Sequence, residues 1–176
     1  MASMSEFDEA YDDPVRQPKV LTEDILGEPI SSLEPHSAVA FDVEATVDDA
    51  VQAMNQKSIG CVLVTDRDSL VGIFTERDVM RRIVGRGYNL SQLRLGDYMT
   101  PNPDTLSPHD PIAFALNRMS VGGYRHVPLV DESGQSIAII SIIDVVRFLV
   151  EHFPQSVLNL PPQPRQRISD IPHGAG

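Results

Sequence analysis

The 176-residue sequence has one cysteine, no tryptophan and only 6% aromatic residues. A single thiol permits no intrachain disulfide and no cysteine-based metal site, so a reducing cytoplasm is expected. With so few aromatics there is little for successive bases to stack on, which argues against a single-strand nucleic-acid binder. Positive charge is scarce as well: 14 Lys and Arg against 25 Asp and Glu leave a net charge of -11, the wrong sign for gripping a phosphate backbone. Nowhere do apolar residues continue for the ~20 positions that a membrane helix needs, and no early basic stretch precedes an apolar run. The expected protein is unexported, with no nucleic acid and no membrane among its partners.

Sequence signatures of catalysis are missing too. There is no Gly-x-Ser-x-Gly of a serine hydrolase and no Gly-x-x-x-x-Gly-Lys-Ser/Thr loop for cleaving ATP. Cys61 sits inside an apolar run without basic neighbours, so it reads as a small buried hydrophobe and not as a nucleophile. The five histidines have no spacing that places two metal ligands on one face. No enzyme class and no metal are expected.

What the sequence does have is an ordinary globular composition, 41% hydrophobic and 22% charged, between two atypical ends. Residues 1–20 collect Glu6, Asp8, Glu9, Asp12 and Asp13 with Pro14 and Pro18, and are expected to be a disordered acidic tail. Residues 155–176 are too rich in proline to continue a helix, although Leu158 and Leu160 could pack down as an arm. Between the tails the chain repeats itself with a spacing of about 65 residues.

Each copy reads helix, strand, strand, helix. Val47, Ala50, Val51 and Met54 form an apolar stripe at helical spacing, as do Ile112, Ala115, Leu116 and Met119. Apolar runs at Cys61–Val64 and Val127–Val130 follow, then polar turns at Thr65–Ser69 and Asp131–Gln135, then strands at Leu70–Phe74 and Ile137–Ile140. A final helix carries Val79, Ile83 and Val84 in one copy, and Val145, Leu149 and Phe153 in the other. Short strands near Ala38–Phe41 and Asp104–Leu106 precede the units. The fold class is therefore α/β of the α+β kind, two small sheets each packed with two helices and related by a pseudo-twofold. The first copy occupies 21–85, and a linker with the second copy occupies 86–154.

Where strand meets final helix, the copies read Gly72-Ile-Phe-Thr75-Glu-Arg-Asp78 and Ala138-Ile-Ile-Ser141-Ile-Ile-Asp144. A hydroxyl three residues before an acid is the pattern of a capping box, which is a structural role. The same geometry also suits a ligand: free N–H groups for a phosphate and a carboxylate for a ribose diol. Gly72 would let that ligand approach the strand. In mid-chain, Arg77 to Arg94 form either a solvated helix face or a small anion patch. Arg81 can share the face of Arg77, whereas the adjacent Arg81 and Arg82 are not expected to enter one cleft together.

The repeat resembles the CBS motif. Gly72 to Asp78 matches that family's nucleotide signature of Gly, an apolar residue, any residue, Thr or Ser, two residues, then Asp. Tyr124-Arg125-His126-Val127-Pro128-Leu129 is similar to the family's stretch at the first core strand, and the likeness runs from about Ile25 to Phe153. The resemblance implies a Bateman module with two clefts between its motifs, a homodimer joined through helices, and AMP, ADP, ATP or another adenosyl compound as ligand. By position it assigns Gly72, Thr75 and Asp78 to one cleft, Ser141 and Asp144 to the other, and Arg125, His126 and Pro128 to the nucleotide's neighbourhood. For His126 a half-buried strand histidine bonded to backbone is the alternative. The second copy departs from the signature at Ala138, Ile142 and Ile143, and Gly60-Cys61 stands where the other copy has Arg125-His126. A cation on one side only and one tight site are expected. The functional expectation is a regulatory nucleotide sensor acting on a separate, unknown effector protein. The alternative is a CBS dimer that binds no nucleotide and serves as an interaction scaffold.

Overall fold

A computed structural model describes residues 23–152 of the chain. The tails expected at 1–20 and 155–176, with Leu158 and Leu160, lie outside the described residues. A short helix α1 (Glu23–Leu26) and a 3-10 turn (Ile30–Leu33) lead into β1 (Ala40–Asp42), α2 (Val47–Lys57), β2 (Cys61–Asp66) and β3 (Ser69–Thr75). Helix α3 (Glu76–Asp78) continues as a π-helical segment, Val79–Ile83, followed by α4 (Leu95–Tyr98) and β4 (Thr100–Pro101). The second copy comprises α5 (Ile112–Gly122), β5 (His126–Val130), β6 (Ser136–Ser141) and α6 (Ile142–His152).

Local signals account for most of these elements. Helix α2 starts at a full capping box, in which Thr46 Oγ1 accepts from Asp49 N–H at 3.1 Å and Asp49 Oδ2 accepts from Thr46 N–H at 3.2 Å. Its buried face is Val47, Ala50 and Met54, the same helical stripe that the sequence shows. Strands β2 and β3 pair antiparallel as far as Asp66↔Ser69, so only Arg67 and Asp68 turn the corner. Both take positive φ, 47° and 67°, which matches the twist of a two-residue hairpin and makes this turn tighter than expected. The second hairpin needs the longer segment between Val130 and Ser136. There Asp131 Oδ1 accepts from Ser133 N–H at 2.9 Å and Gln135 N–H at 3.0 Å.

The sheets are built by exchange between the copies. In the first, β1 lies parallel to β2, β2 antiparallel to β3, and β4, from the linker before the second copy, antiparallel to β3. The second sheet has β5 against β6 only. Its flanking strands shrink to single bridges, Leu106 parallel to Leu129 and His36 antiparallel to Ile139. Thus the segment before each copy closes the sheet of the other.

The cores follow the same rule. Ile25, Ile30 and Leu33 pack with Ile112, Val127, Leu129, Ile140 and Phe148 of the second copy. Leu95 of α4 packs with Val47, Val62, Val64 and Phe74 of the first. Burying a side chain as fully as Ile30, at 0% exposure, is worth ~1.5–3 kcal/mol, enough to hold a short segment against its neighbour. A third, smaller cluster of Cys61, Leu63 and Ile73 packs against Ile139 and joins the two sheets. The pseudo-symmetric halves therefore face one another across a shared seam.

Candidate functional site: two clefts on the seam

Two clefts open on this seam. The first, about 340 Å³, is lined by Thr75, Asp78, Arg81 and Arg82 on one side, Thr100–Asp104 on another, and Tyr124, Arg125 and His126 on a third. The second, about 460 Å³, has the equivalent walls: Ser141, Asp144 and Arg147; His36–Val39; and Ser58–Cys61 with Arg125 and His126. A still larger hollow, about 860 Å³, is an open groove on the helix side between α2 and the π-helical segment. It holds neither buried carboxylate.

Each cleft has a buried aspartate at its back. Asp78 is 7% exposed and Asp144 is 3% exposed. Asp78 Oδ2 accepts from the Thr75 N–H at 3.0 Å and its hydroxyl at 2.7 Å, while Asp78 N–H donates back to Thr75 Oγ1 at 3.3 Å. The other oxygen, Oδ1, accepts from Thr100 Oγ1 at 3.1 Å and lies 3.5 Å from Arg82 Nε. Asp144 repeats the division. Its Oδ2 accepts from Ser141 N–H at 2.7 Å and Ser141 Oγ at 2.8 Å. Its Oδ1 lies 3.1 Å from His36 Nε2 and accepts from Arg147 Nη1 at 3.2 Å. In both copies one carboxylate oxygen is committed to the helix cap and the other to exchangeable partners.

Four expectations change on this geometry. Gly72 lines neither cleft: a Cβ there would meet the Met99 side chain, 2.2 Å from Sδ, so what the glycine makes room for in this structure is Met99. Ala138 lines neither cleft and packs on the second core, so its methyl does not obstruct the second cleft. Pro128 is buried in β5 opposite Ile139 and likewise lines neither cleft. Arg81 and Arg82 both line the first cleft. They lie in the π-helical segment, whose Val84 N–H to Val79 carbonyl bond at 3.0 Å marks a wider turn and brings neighbouring residues closer in azimuth.

The structure brings Thr75, Asp78, Arg125 and His126 together in the first cleft, and Ser141, Asp144, Arg125 and His126 in the second. A cation on one side only is thus not what the fold provides, because Arg125 reaches the seam and lines both clefts, and Arg147 adds a guanidinium to the second. Around His126, burial first and then the Arg125 guanidinium hold the imidazole below its usual pKa against the opposing pull of Glu76 and Asp144. Cys61, in the second cleft wall, has its thiol pushed up to about 12, first by burial and then by Glu76, so it stays protonated.

Sequence reasoning missed the third wall of each cleft, His36–Val39 and Thr100–Asp104. The available signal was their shared position, since each precedes the first strand of a repeat. A match to the family described as CBS domain covers residues 30–85 and 95–151, more than half of the chain. The chain belongs to the CBS domain family. A mitochondrial CBS domain-containing protein of Arabidopsis thaliana is 33% identical over 120 residues, covering 65% of this chain and 58% of that protein. The chain spans only 15–24% of the next six curated relatives. Among solved structures, a CBS domain is 26% identical with a TM-score of 0.65, over 70% of this chain and 98% of that one. Another, a CBS domain protein of Pyrobaculum aerophilum complexed with AMP, shares the fold at 24% identity and a TM-score of 0.63, over 70% and 97%. Among the described residues no helix is long and apolar enough to cross a membrane.

Proposed function

We propose that this chain is a regulatory, non-catalytic module that binds an adenine nucleotide (AMP, ADP or ATP) in its seam clefts and signals to a separate protein. The observation that carries the reading is the duplicated carboxylate: a buried aspartate at the back of each cleft, with one oxygen facing exchangeable hydroxyl and guanidinium partners. A ribose diol supplies the hydroxyl donors that such an oxygen accepts, replacing Thr100 at Asp78 or His36 at Asp144. Thr75 and Ser141 hold the caps and turn their hydroxyls to ribose or phosphate oxygens, and Arg125 and His126 meet the phosphates. The AMP complex of the Pyrobaculum aerophilum protein supports the ligand class.

Arg77, Arg81, Arg82 and Arg125 make the first cleft the more cationic, so it is the tighter site for a phosphorylated ligand. Exposed apolar residues on the helices, Met80, Val121, Ile143 and Val146, support a homodimer formed through those faces. Ligand binding reaches an effector only if it favours one of two helix arrangements, which requires different affinity for each. The lone buried thiol fits a reducing compartment, of which the cytoplasm is one.

The scaffold reading has its own support, because every hydrogen bond at Asp78 and Asp144 is already satisfied within the chain, as a purely structural cap requires. Isothermal titration of nucleotide-stripped protein with AMP, ADP and ATP, repeated on Asp78→Ala, separates the two. Micromolar binding that the variant loses at one site supports the sensor; no heat with any of the three leaves the scaffold.

A further inference from the structure

The two copies differ at one pair of positions that meet on the seam. Strand pairing sets Cys61 opposite Thr75 and His126 opposite Ser141, which makes Gly60 the counterpart of Arg125 and Glu76 the counterpart of Ile142. Backbone bonds confirm the equivalence: Glu76 N–H donates to the Gly60 carbonyl at 3.1 Å, and Ile142 N–H to the Arg125 carbonyl at 2.9 Å. Where one copy has Arg125 and Glu76, the other has a glycine and an isoleucine. A side chain at Gly60 would be crowded, since a Cβ there lies 3.0 Å from His126 Cε1 and 3.5 Å from Glu76 Oε2. So the seam has a single central guanidinium where exact symmetry would place two.

That guanidinium is weakly held. Arg125 Nη2 lies 3.6 Å from Glu76 Oε2, with the side chains 52% and 60% exposed, a long and solvent-screened pair. Three other guanidinium groups near the clefts have firmer partners. Arg77 donates to the Gly123 carbonyl at 2.8 Å, Arg82 to the Tyr98 carbonyl at 3.0 Å, and Arg147 to Asp144 at 3.2 Å. Arg125 lines both clefts, whereas Glu76 lines the second and not the first.

We infer that Arg125 is one phosphate-binding guanidinium shared by the two clefts, so that a phosphorylated ligand in either cleft weakens phosphorylated-ligand binding in the other. The inference rests on the nucleotide reading given above. A phosphate in the first cleft draws Arg125 away from Glu76. The second cleft then faces an uncompensated carboxylate and has lost its central cation, both of which repel a second anion. By linkage the effect is reciprocal. Adenosine has no phosphate, so it binds without this coupling.

The test is a titration of the full chain with ADP, watched by NMR at the δ-methyl groups of Ile73 in the first cleft and Ile139 in the second. Blocking the first cleft with Asp78→Asn should lower the ADP midpoint at Ile139 about 10-fold, a coupling of ordinary size between sites, and leave the adenosine midpoint unchanged. In an Arg125→Gln background, whose half-exposed side chain can change without unfolding the chain, the Asp78→Asn change should leave the ADP midpoint at Ile139 where it was. If Asp78→Asn does not fold, the ratio of Ile139 to Ile73 midpoints should be about 10-fold larger for ADP than for adenosine, and Arg125→Gln should abolish the excess. An Ile139 midpoint for ADP indifferent to the first cleft, or equal ratios for the two ligands, overturns sharing and leaves the nucleotide reading intact. A silent Ile139 in both unaltered and Asp78→Asn chains, while Ile73 responds, also overturns it. No response to ADP or adenosine at either methyl overturns both readings.

Discussion

Replacing Thr75 by alanine separates a cap from a ligand contact. The hydroxyl donates to Asp78 Oδ2 at 2.7 Å and accepts from Asp78 N–H at 3.3 Å, so the variant loses both bonds of the cap side chain. Asp78 is not orphaned, because its carboxylate still accepts from Thr75 N–H at 3.0 Å and Thr100 Oγ1 at 3.1 Å. The cost is therefore that of a cap alone, about 1 kcal/mol and at most about 2 kcal/mol, without the larger penalty of an unpaired buried charge. Urea denaturation should show the midpoint lowered with an unchanged slope. On the nucleotide reading the same hydroxyl also meets a phosphate oxygen of the ligand, and losing that hydrogen bond to a charged group, ~1.5–3 kcal/mol, weakens first-cleft binding by at least ~10-fold. Calorimetric titration of ADP into the variant at saturating folded concentration measures this directly. Retention of full first-cleft affinity beside the expected loss of stability would refute the assignment of Thr75 to ligand binding and leave it as a helix cap.

Two further outcomes follow from the same geometry. The folded His126 titrates below its unfolded value near 6.5, so as pH falls through about 6.5 the unfolded chain takes up the proton first. Stability conferred by the neutral imidazole is thus full above that pH and declines below it, by up to ~1.4 kcal/mol per pH unit, until the folded group also protonates. Denaturation of unaltered and His126→Gln chains at pH 7.5 and 5.5 should show a smaller pH loss in the variant; equal losses would contradict the burial of this group. Gly72→Ala drives a Cβ into Met99 and should cost ~1–3 kcal/mol, with first-cleft affinity retained in the folded fraction. Adding Met99→Ala to that chain should recover part of the loss, and failure to do so would place the strain elsewhere.

The readable part of this fold is its local part. The β2–β3 and β5–β6 hairpins, the stripe of Val47, Ala50 and Met54, and the Thr75–Asp78 cap each arise from residues within a few positions of one another, where periodicity and capping chemistry act directly. What was not readable depends on exchange between the copies. Nothing near Ile30 or Leu33 shows that they enter the core of the second copy, and nothing near Gly72 shows that Met99 fills its place. The third walls of the clefts, at His36 and Thr100, were hidden for the same reason: each precedes one copy and closes the sheet of the other.

Repeat matching is blind to that exchange in a specific way. It pairs Thr75 with Ser141 and Asp78 with Asp144, which identifies the shared machinery but leaves the clefts looking independent. The mismatches carry the rest. Gly60 against Arg125 reads in sequence as a cation given to one cleft and withheld from the other. Folding the copies face to face turns the same mismatch into one guanidinium standing between two clefts. On the nucleotide reading, a duplicated site whose copies keep their carboxylates but not the Arg125 guanidinium has two places for a ribose and one shared central charge for a phosphate. On that reading, whether a ligand carries a phosphate, more than the identity of its base, decides whether the two clefts fill together.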